Sequence, residues 1–302
     1  METRMSQVNE RISVRDHMIA TAANGRQFFD AVRDLGVGAI ELEVATDFSM
    51  PHLRLRDGSS LSIRDANAVR VLKDALAAHG LRVSALLLAT DFSGENAGEH
   101  VAWTIRAARA ARELGAPAVR VDPLTRDREL TAAQVRGNFV RRIREVLNAT
   151  ADIGVDLAME NHGPIGNDPA FIDGVLNDIN DQRLGLTLDT GNFYWSGVPL
   201  QELYGLLRRY APRAKHTHIK NINYPPALAR NRREIGLDYK QCCCPLDEGN
   251  IDLNRVAEIL SETGYRRDLC IENESLFKYP EAQKLDVLRR DVAALRRAMK
   301  GS

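Results

Sequence analysis

Short apolar runs alternate with longer amphipathic segments along almost the whole chain. The amphipathic segments carry apolar residues at helical spacing, as Val69, Leu72 and Leu76 do within 63–80. The short runs have the length and apolar content of buried strands. The predicted strands are 12–20, 39–45, 83–89, 116–122, 155–160, 184–189, 214–219 and 268–273. The predicted helices are 25–36, 63–80, 99–115, 129–154, 168–180, 199–211, 251–264 and 280–299.

Eight strands that alternate with eight helices predict an α/β fold with a parallel sheet and right-handed crossovers. At this chain length the pattern favours closure into a single-domain (β/α)8 TIM barrel, over about residues 10–300. A doubly wound open sheet is the alternative. That fold typically carries a Gly-rich turn after its first strand, and the chain has no GxGxxG or GxxxxGK[ST] motif. The longest irregular stretch, 221–250, exceeds an ordinary βα loop and is expected to be an active-site loop.

The composition narrows the function classes. Lys+Arg and Asp+Glu are equal at 41 each, so no bulk charge attracts nucleic acid or an anionic membrane. No apolar stretch reaches the roughly 20 residues of a membrane span, and the N-terminus lacks the apolar core of a signal peptide. The cysteines, Cys242, Cys243, Cys244 and Cys270, form neither a disulfide framework nor a CxxC zinc pair. We therefore expect a reducing, cytoplasmic location.

Four polar residues each end one of the predicted strands: Glu160, Asp189, His218 and Glu272. The first three are spaced 29 residues apart, which is the length of one strand-plus-helix repeat. In a (β/α)8 barrel such strand ends converge at one face, where the active site is built. An acidic residue at a strand end is often only a helix cap or a surface charge, but four matching positions favour a common site.

Three carboxylates and one imidazole form a mostly oxygen ligand set for one divalent metal ion. Mn²⁺ or Mg²⁺ suits this set best, and Co²⁺ or Zn²⁺ is also compatible. Such an ion can act as a Lewis acid on a carbonyl, while Glu160 and Glu272 move a proton at the neighbouring carbon. His216 shares the inward parity of His218, and we interpret it as a hydrogen-bonded support for that ligand.

Five segments in the C-terminal half resemble the xylose isomerase-like barrel superfamily, in its sugar phosphate isomerase/epimerase branch. They are MENHG (159–163), LTLDTGNF (186–193), HTHIKN (216–221), PLDEGNIDL (245–253) and GYRRDLCIENES (264–275). The N-terminal half is similar only in its rhythm and in AAHGLRVSALL (77–87).

The resemblance implies the same four metal ligands, Glu160, Asp189, His218 and Glu272. It also implies that the two glutamates are the catalytic acid/base pair. Many epimerases of the family have a histidine three residues after the metal aspartate, where this chain has Asn192. That departure puts a ketose 3-epimerase activity in doubt and makes Asn192 a candidate substrate contact.

Four further residues are candidates for substrate binding, each with a structural alternative. His162 could hydrogen-bond a substrate hydroxyl or stabilise its loop. Lys220 shares the parity of His216 and His218, so it could polarise a carbonyl, bind a phosphate or remain a solvated lysine at the rim. Glu43 and Arg120 could contact the substrate or fill the polar upper layer of the barrel. Arg230, Arg232 and Arg233 could bind an anion, although a charged surface run is the simpler interpretation.

These features favour a metal-dependent isomerase or epimerase of a sugar, ketosugar or related polyol, with a small carbohydrate-like molecule as its partner. A dehydratase or lyase on the same barrel is the alternative, as in inosose and dehydroshikimate dehydratases or 3-keto-glycoside cleavage. An endonuclease IV-like three-zinc site would need more than the seven histidines present and a basic surplus. A non-catalytic binding subunit would not need all four ligands. The sequence leaves open whether the barrel forms a homo-oligomer.

Overall fold

A computed structural model describes residues 11–55 and 58–301 of the chain. Twelve strands lie in this part of the chain: β1 (Ile12–Arg15), β2 (Ala39–Glu43), β3 (Ser49–Arg54), β4 (Ser60–Ser62), β5 (Arg82–Leu87), β6 (Ala118–Val121), β7 (Asp156–Glu160), β8 (Leu184–Asp189), β9 (Ala214–Ile219), β10 (Asn221–Ile222), β11 (Cys243–Cys244) and β12 (Leu269–Ile271).

The α-helices of the described residues surround the strands. They are α1 (Asp16–Ala22), α2 (Phe28–Leu35), α3 (Ala66–Ala78), α4 (Ala97–Leu114), α5 (Ala132–Ala149), α6 (Gly163–Gly166), α7 (Pro169–Ile179), α8 (Asn192–Trp195), α9 (Leu200–Tyr210), α10 (Pro226–Arg230), α11 (Tyr239–Cys242), α12 (Leu253–Glu262) and α13 (Glu281–Gly301). Within 11–55 and 58–301, no helix is both long and apolar enough to cross a membrane.

Eight parallel strands close into a barrel in the order β1, β12, β9, β8, β7, β6, β5 and β2, and β2 pairs with β1. Each barrel strand is followed by at least one helix that returns the chain to the opposite end of the barrel. The predicted (β/α)8 TIM barrel is therefore confirmed, and the doubly wound alternative is wrong. The domain limits of about 10–300 stay a prediction.

The barrel strands divide their side chains between two environments. Residues of one parity, such as Ile40, Leu42, Leu157 and Met159, join the large hydrophobic core between the strands and the helices. Residues of the other parity point into the barrel and are small or polar, for example Ala158 and the buried Glu41. Side chains alternate along a strand, so one sequence register fixes both the core and a polar interior.

The structure differs from the sequence prediction in three places. The strand predicted over 12–20 ends at Arg15, and α1 begins at once, because both carboxylate oxygens of Asp16 accept backbone N–H bonds, from His17 at 2.7 Å and Glu43 at 2.9 Å. The β3–β4 hairpin was not expected. The stretch 221–250 is not irregular throughout, because it contains α10, α11 and the antiparallel pair β10–β11.

Candidate metal centre

The four predicted ligands lie at the carboxyl ends of four adjacent barrel strands. Glu160 and Asp189 are the last residues of β7 and β8, His218 is the last but one of β9, and Glu272 follows β12 directly. One ligand atom from each of the four lies within 4.8 Å of the others. The predicted convergence is therefore present in the fold, while the metal-binding role of the residues stays a prediction.

His218 Nδ1 lies at the centre of the cluster. It is 3.2 Å from Glu160 Oε1, 3.6 Å from Glu272 Oε2 and 4.0 Å from Asp189 Oδ2. All four side chains are buried. Three carboxylates that converge without access to water need a positive charge between them.

Two oxygens of the cluster test whether a metal ion fits there. Asp189 Oδ2 and Glu272 Oε2 are buried and accept no well-aligned hydrogen bond among the described residues. The other oxygen of Asp189 accepts N–H bonds from Gly191 and Asn192, both at 2.8 Å, so Oδ2 is held toward the cluster. Both oxygens lie within 3.0 Å of the Lys220 ammonium, so a cation already faces them. Buried carboxylate oxygens beside an imidazole nitrogen are the donor set that a hard divalent cation binds, so the residues fit such an ion.

An arginine holds the second oxygen of each glutamate. Arg120 Nε donates to Glu160 Oε2 at 2.6 Å, and Arg15 forms a short ion pair with Glu272 Oε1. Both glutamates therefore present their remaining oxygen, Glu160 Oε1 or Glu272 Oε2, to the cluster. Arg15 was not singled out from the sequence, although its position at the inward-facing end of β1 carries that signal.

The cluster divides its carboxyl groups into two kinds. Burial opposes ionisation of both glutamates, but Arg120 and His218 keep the pKa of Glu160 well below its usual range. Lys220, His218 and Arg15 do the same for the pKa of Glu272. Burial, with the neighbouring charges of Glu272 and Glu160, instead raises the pKa of Asp189 to about 8. Although burial opposes it, Glu41 and the two glutamates raise the pKa of His218 well above its ordinary value.

Lys220 places its ammonium group inside the same cluster. Its Nζ lies 3.0 Å from Asp189 Oδ2, 2.8 Å from Glu272 Oε2 and 3.4 Å from Glu274 Oε1. Tyr239, from the 221–250 stretch, donates a hydrogen bond to Glu274. The long loop thus reaches the lysine that contacts two of the predicted metal ligands.

Of the other predicted substrate contacts, two are buried in the cluster and two are partly exposed. Asn192 and Arg120 are buried beside Glu160, and Asn192 Nδ2 donates to Glu160 Oε1 at 3.1 Å. His162 is 37% exposed and pairs with Asp122 at 3.0 Å. Glu43 is 30% exposed and contacts Arg15 and His52, both at 3.4 Å. His162 and Glu43 can therefore meet a ligand directly, whereas Arg120 is committed to Glu160; their roles in binding stay predictions.

Glu41 is the principal residue of the site that sequence reasoning missed. It is fully buried, and its oxygens lie 3.0 Å from His216 Nε2 and 3.0 Å from His218 Nε2. The signal was present, because Glu41 has the same inward parity on β2 as Glu43. Glu43 drew attention because it is closer to the active face, and the contact of Glu41 across the barrel is not visible in one sequence.

Curated relatives match part of the chain. An inosose dehydratase of Klebsiella pneumoniae is 28% identical over 130 residues, which cover 41% of this chain and 42% of the relative. The rhizopine catabolism protein MocC of Rhizobium meliloti is 28% identical over 142 residues, 45% of this chain and 42% of the relative. The match thus spans about two fifths of the length of these relatives.

Solved structures match nearly the whole chain, all at low identity. An IolI protein with bound zinc superimposes with a TM-score of 0.69 at 16% identity, over 95% of this chain and 98% of its own. A Mycobacterium smegmatis xylose isomerase-like TIM barrel protein in complex with magnesium gives 0.67 at 20%, over 96% and 98%. An L-ribulose 3-epimerase gives 0.66 at 17%, over 96% and 95%. At this identity the likeness shows the fold alone.

The sequence profile of one family extends over most of the chain. The profile described as xylose isomerase-like TIM barrel matches residues 29–298, which include all four residues of the cluster. This range covers the barrel from α2 to the last helix. The chain belongs to the xylose isomerase-like TIM barrel family.

Proposed function

We propose that the protein is a divalent-metal-dependent enzyme that isomerises or epimerises a sugar, a ketosugar or a related polyol. The observation that carries the proposal is the convergence of Glu160, Asp189 and Glu272 on His218 Nδ1, in a buried cluster where two of the carboxylate oxygens have only the Lys220 ammonium beside them. Membership of the family and the solved neighbours that carry zinc or magnesium support it.

The four clustered residues would hold the ion, with Mn²⁺ or Mg²⁺ the best match to their donors and Co²⁺ or Zn²⁺ compatible. When bound, such an ion polarises a substrate carbonyl and acidifies the adjacent C–H bond. Lys220, Asn192 and His162 lie around the cluster with polar atoms that can orient substrate hydroxyls.

Glu160 and Glu272 are the proposed proton carriers. Their low pKa values keep both carboxylates ionised at neutral pH, so either can accept a proton from the substrate carbon. Arg120 and Arg15 fix their orientation from opposite sides of the cluster. An epimerisation would use one glutamate, as the carboxylate, to remove the proton. The other glutamate would first take up a proton from water and then deliver it to the opposite face of the same carbon.

A dehydratase is the second candidate, and the curated relatives named inosose dehydratase favour it. Elimination also begins with proton removal next to a carbonyl, but it then expels a hydroxyl group that must be protonated. Lys220 Nζ, 2.8 Å from Glu272 Oε2, is placed to supply that proton. The two candidates therefore share a base and differ in what leaves the substrate.

The test is a panel of ordinary sugars, 3-keto sugars and inososes, incubated in D₂O with the Mn²⁺-loaded protein. Isomerisation or epimerisation predicts deuterium at one carbon with no loss of water, as read by NMR and mass spectrometry. Dehydration predicts a mass lower by one water and a new enone absorption. Glu272→Gln should lose at least about 100-fold of the exchange rate, in line with removal of a general base.

Glu262→Gln, an exposed substitution on α12, serves as the matched control and should exchange like the wild type. Exchange retained in Glu272→Gln would remove Glu272 from the proton-transfer role. Failure of the wild type to bind Mn²⁺ would contradict the metal-dependent function as a whole.

A further inference from the structure

A single carboxylate, that of Glu41, contacts two histidines in the interior of the barrel. It lies on β2, and both histidines lie on β9, with β1 and β12 between these strands in the ring. His218 Nε2 is 3.0 Å from both Glu41 oxygens, and His216 Nε2 is 3.0 Å from Glu41 Oε1. The contact therefore crosses the barrel and links β2 to the strand that carries a predicted metal ligand.

The chemistry of this contact determines which nitrogen of His218 is free. An ionised carboxylate only accepts hydrogen bonds, so the Nε2 atom that faces Glu41 must carry the hydrogen. To bind a metal ion, the His218 ring must be neutral, and a neutral imidazole has one N–H group. With that hydrogen on Nε2, Nδ1 carries the lone pair. Nδ1 is the nitrogen that points at Glu160, Glu272 and Asp189.

We infer that Glu41 is a positioning residue that fixes the Nε2–H tautomer of His218 and so makes Nδ1 the metal-binding atom. This inference rests on the proposed metal centre and adds to it a residue that the ion does not touch. Partners behind a metal-bound histidine orient the ring and raise its basicity, and their loss typically weakens metal binding by about 10–100-fold.

The shared carboxylate makes the glutamine variant informative. The Glu41 carboxylate lies 3.0 Å from both Nε2 atoms, with only that of His218 aligned for a hydrogen bond. A carboxylate can accept from two donors at once, whereas a glutamine at 41 has one carbonyl oxygen and one NH₂ group. The NH₂ group would face one of the two Nε2 atoms and require that atom to be unprotonated. His216 and His218 would then compete as donors to the single carbonyl oxygen. In each molecule in which His218 faces the NH₂ group instead, its hydrogen lies on Nδ1, where it blocks the metal.

The first experiment measures Mn²⁺ affinity by calorimetry on the full chain stripped of metal. Glu41→Gln should bind Mn²⁺ about 10–100-fold more weakly than the wild type. Glu262→Gln is the matched control, because it makes the same change at an exposed position on α12, away from the cluster, and should stay within about threefold of the wild type. Thermal unfolding without metal shows whether each variant is folded.

The second experiment tests whether removal of His216 restores Mn²⁺ affinity to Glu41→Gln. His216→Leu removes the competing histidine, so in the double variant Glu41→Gln/His216→Leu the carbonyl is free to turn to His218. We expect the double variant to bind Mn²⁺ more tightly than Glu41→Gln alone, although it loses one more polar contact. A merely structural role for Glu41 predicts the opposite order, because the second substitution would then only add damage.

The third measurement determines the tautomer of His218 directly. Long-range ¹H–¹⁵N spectra of the Zn²⁺-loaded wild type should show His218 with its hydrogen on Nε2 and zinc on Nδ1, at one zinc per chain. Zinc on Nε2 would overturn the inference. So would two zinc ions per chain that fall to one in Cys270→Ser, because Glu41, His216, His218 and Cys270 would then form a zinc site of their own.

The outcomes separate the two proposals. If the wild type binds Mn²⁺ and Glu41→Gln binds it with the same affinity, the positioning role is overturned and the metal centre stands. Absence of Mn²⁺ and Zn²⁺ binding in the folded wild type overturns both.

Discussion

The two oxygens of Asp189 have different partners, and this asymmetry shows how the centre is prepared for an ion. The backbone N–H groups of Gly191 and Asn192 hold Oδ1, while Oδ2 faces the cluster with the Lys220 ammonium 3.0 Å away. The DTGN segment therefore acts through its backbone, since the turn after β8 supplies both donors. Asn192 adds a side-chain bond to Glu160, so the residue that departs from the family pattern connects two predicted ligands.

The raised pKa of Asp189 predicts how metal binding depends on pH. With its pKa at about 8, Asp189 in the metal-free protein carries a proton at pH 6 that must leave before Oδ2 can bind a cation. His218, whose pKa is also raised, must likewise lose the proton on Nδ1. The affinity should therefore rise with pH between 6 and 8, by roughly tenfold per pH unit for each proton displaced. Calorimetry with Mn²⁺ in buffers of different ionisation enthalpy gives both the affinity and the number of protons released.

Asp189→Asn is the control for that measurement, because it keeps the shape of the side chain and should abolish most of the binding. An affinity that does not change between pH 6 and 8 would contradict the proton competition at Asp189 and His218.

At the scale of single elements, the barrel could be predicted from the sequence because its strands obey one rule. Each strand puts aliphatic residues on one parity and polar or small residues on the other, so Glu160, Asp189, His218 and Glu272 were found by position alone. Arg15 and Glu41 also have inward parity, but neither is an acidic residue at the end of its strand: Arg15 is basic, and Glu41 lies in the middle of β2. Only the closed ring shows that β2 faces β9, which is information about distance across the barrel rather than along the chain.

The start of α1 and the structure of the 221–250 stretch were not predicted, for a different reason. Apolar periodicity cannot separate a short strand from the helix that follows without a turn, and Arg15 to Asp16 is such a junction. The 221–250 stretch has little periodicity, because it is held by specific side-chain contacts rather than by an apolar face. Contacts of that kind leave no repeating pattern in a sequence.

Arg233 is the main anchor of the 221–250 stretch. Its guanidinium lies over the rings of both Tyr194 and Tyr224, 4.5 and 4.2 Å from their centroids, and it donates to the carbonyl of Leu228 at 2.6 Å. This enclosed position replaces the earlier interpretation of Arg233 as part of an exposed charged run. Arg232, by contrast, forms an exposed pair with Glu202.

We therefore expect Arg233→Gln to loosen the stretch and lower the stability of the protein by about 2 kcal/mol, through lost cation–π and hydrogen-bond contacts. Faster chymotrypsin cleavage near Leu237 or Tyr239 is the local measurement. Arg232→Gln is the matched control and should be cleaved at the wild-type rate. Equal cleavage of the two variants would show that Arg233 does not hold the loop.

At the scale of the whole molecule, the cluster concentrates charge that the overall balance of the chain conceals. Lys+Arg and Asp+Glu are equal in number, yet three carboxylates of the centre and Glu41 meet inside the barrel. Arg15, Arg120 and Lys220 offset them, and all three enter from strands or strand ends of the same barrel. The protein is thus expected to fold without metal, with these cations in place of the missing charge.

The ion should nevertheless stabilise the entire barrel, because its four ligands come from β7, β8, β9 and β12, which are neighbours in the ring. Unfolding separates these strands and destroys the site, so only the folded state binds. At 100 times the Kd, Mn²⁺ should add about 2.7 kcal/mol, or roughly 5 °C in Tm for a chain of this size. Calorimetric unfolding with Mn²⁺ and with excess EDTA measures the shift, and Asp189→Asn should show almost none. A shift of equal size in Asp189→Asn would mean that Mn²⁺ stabilises the protein from another site.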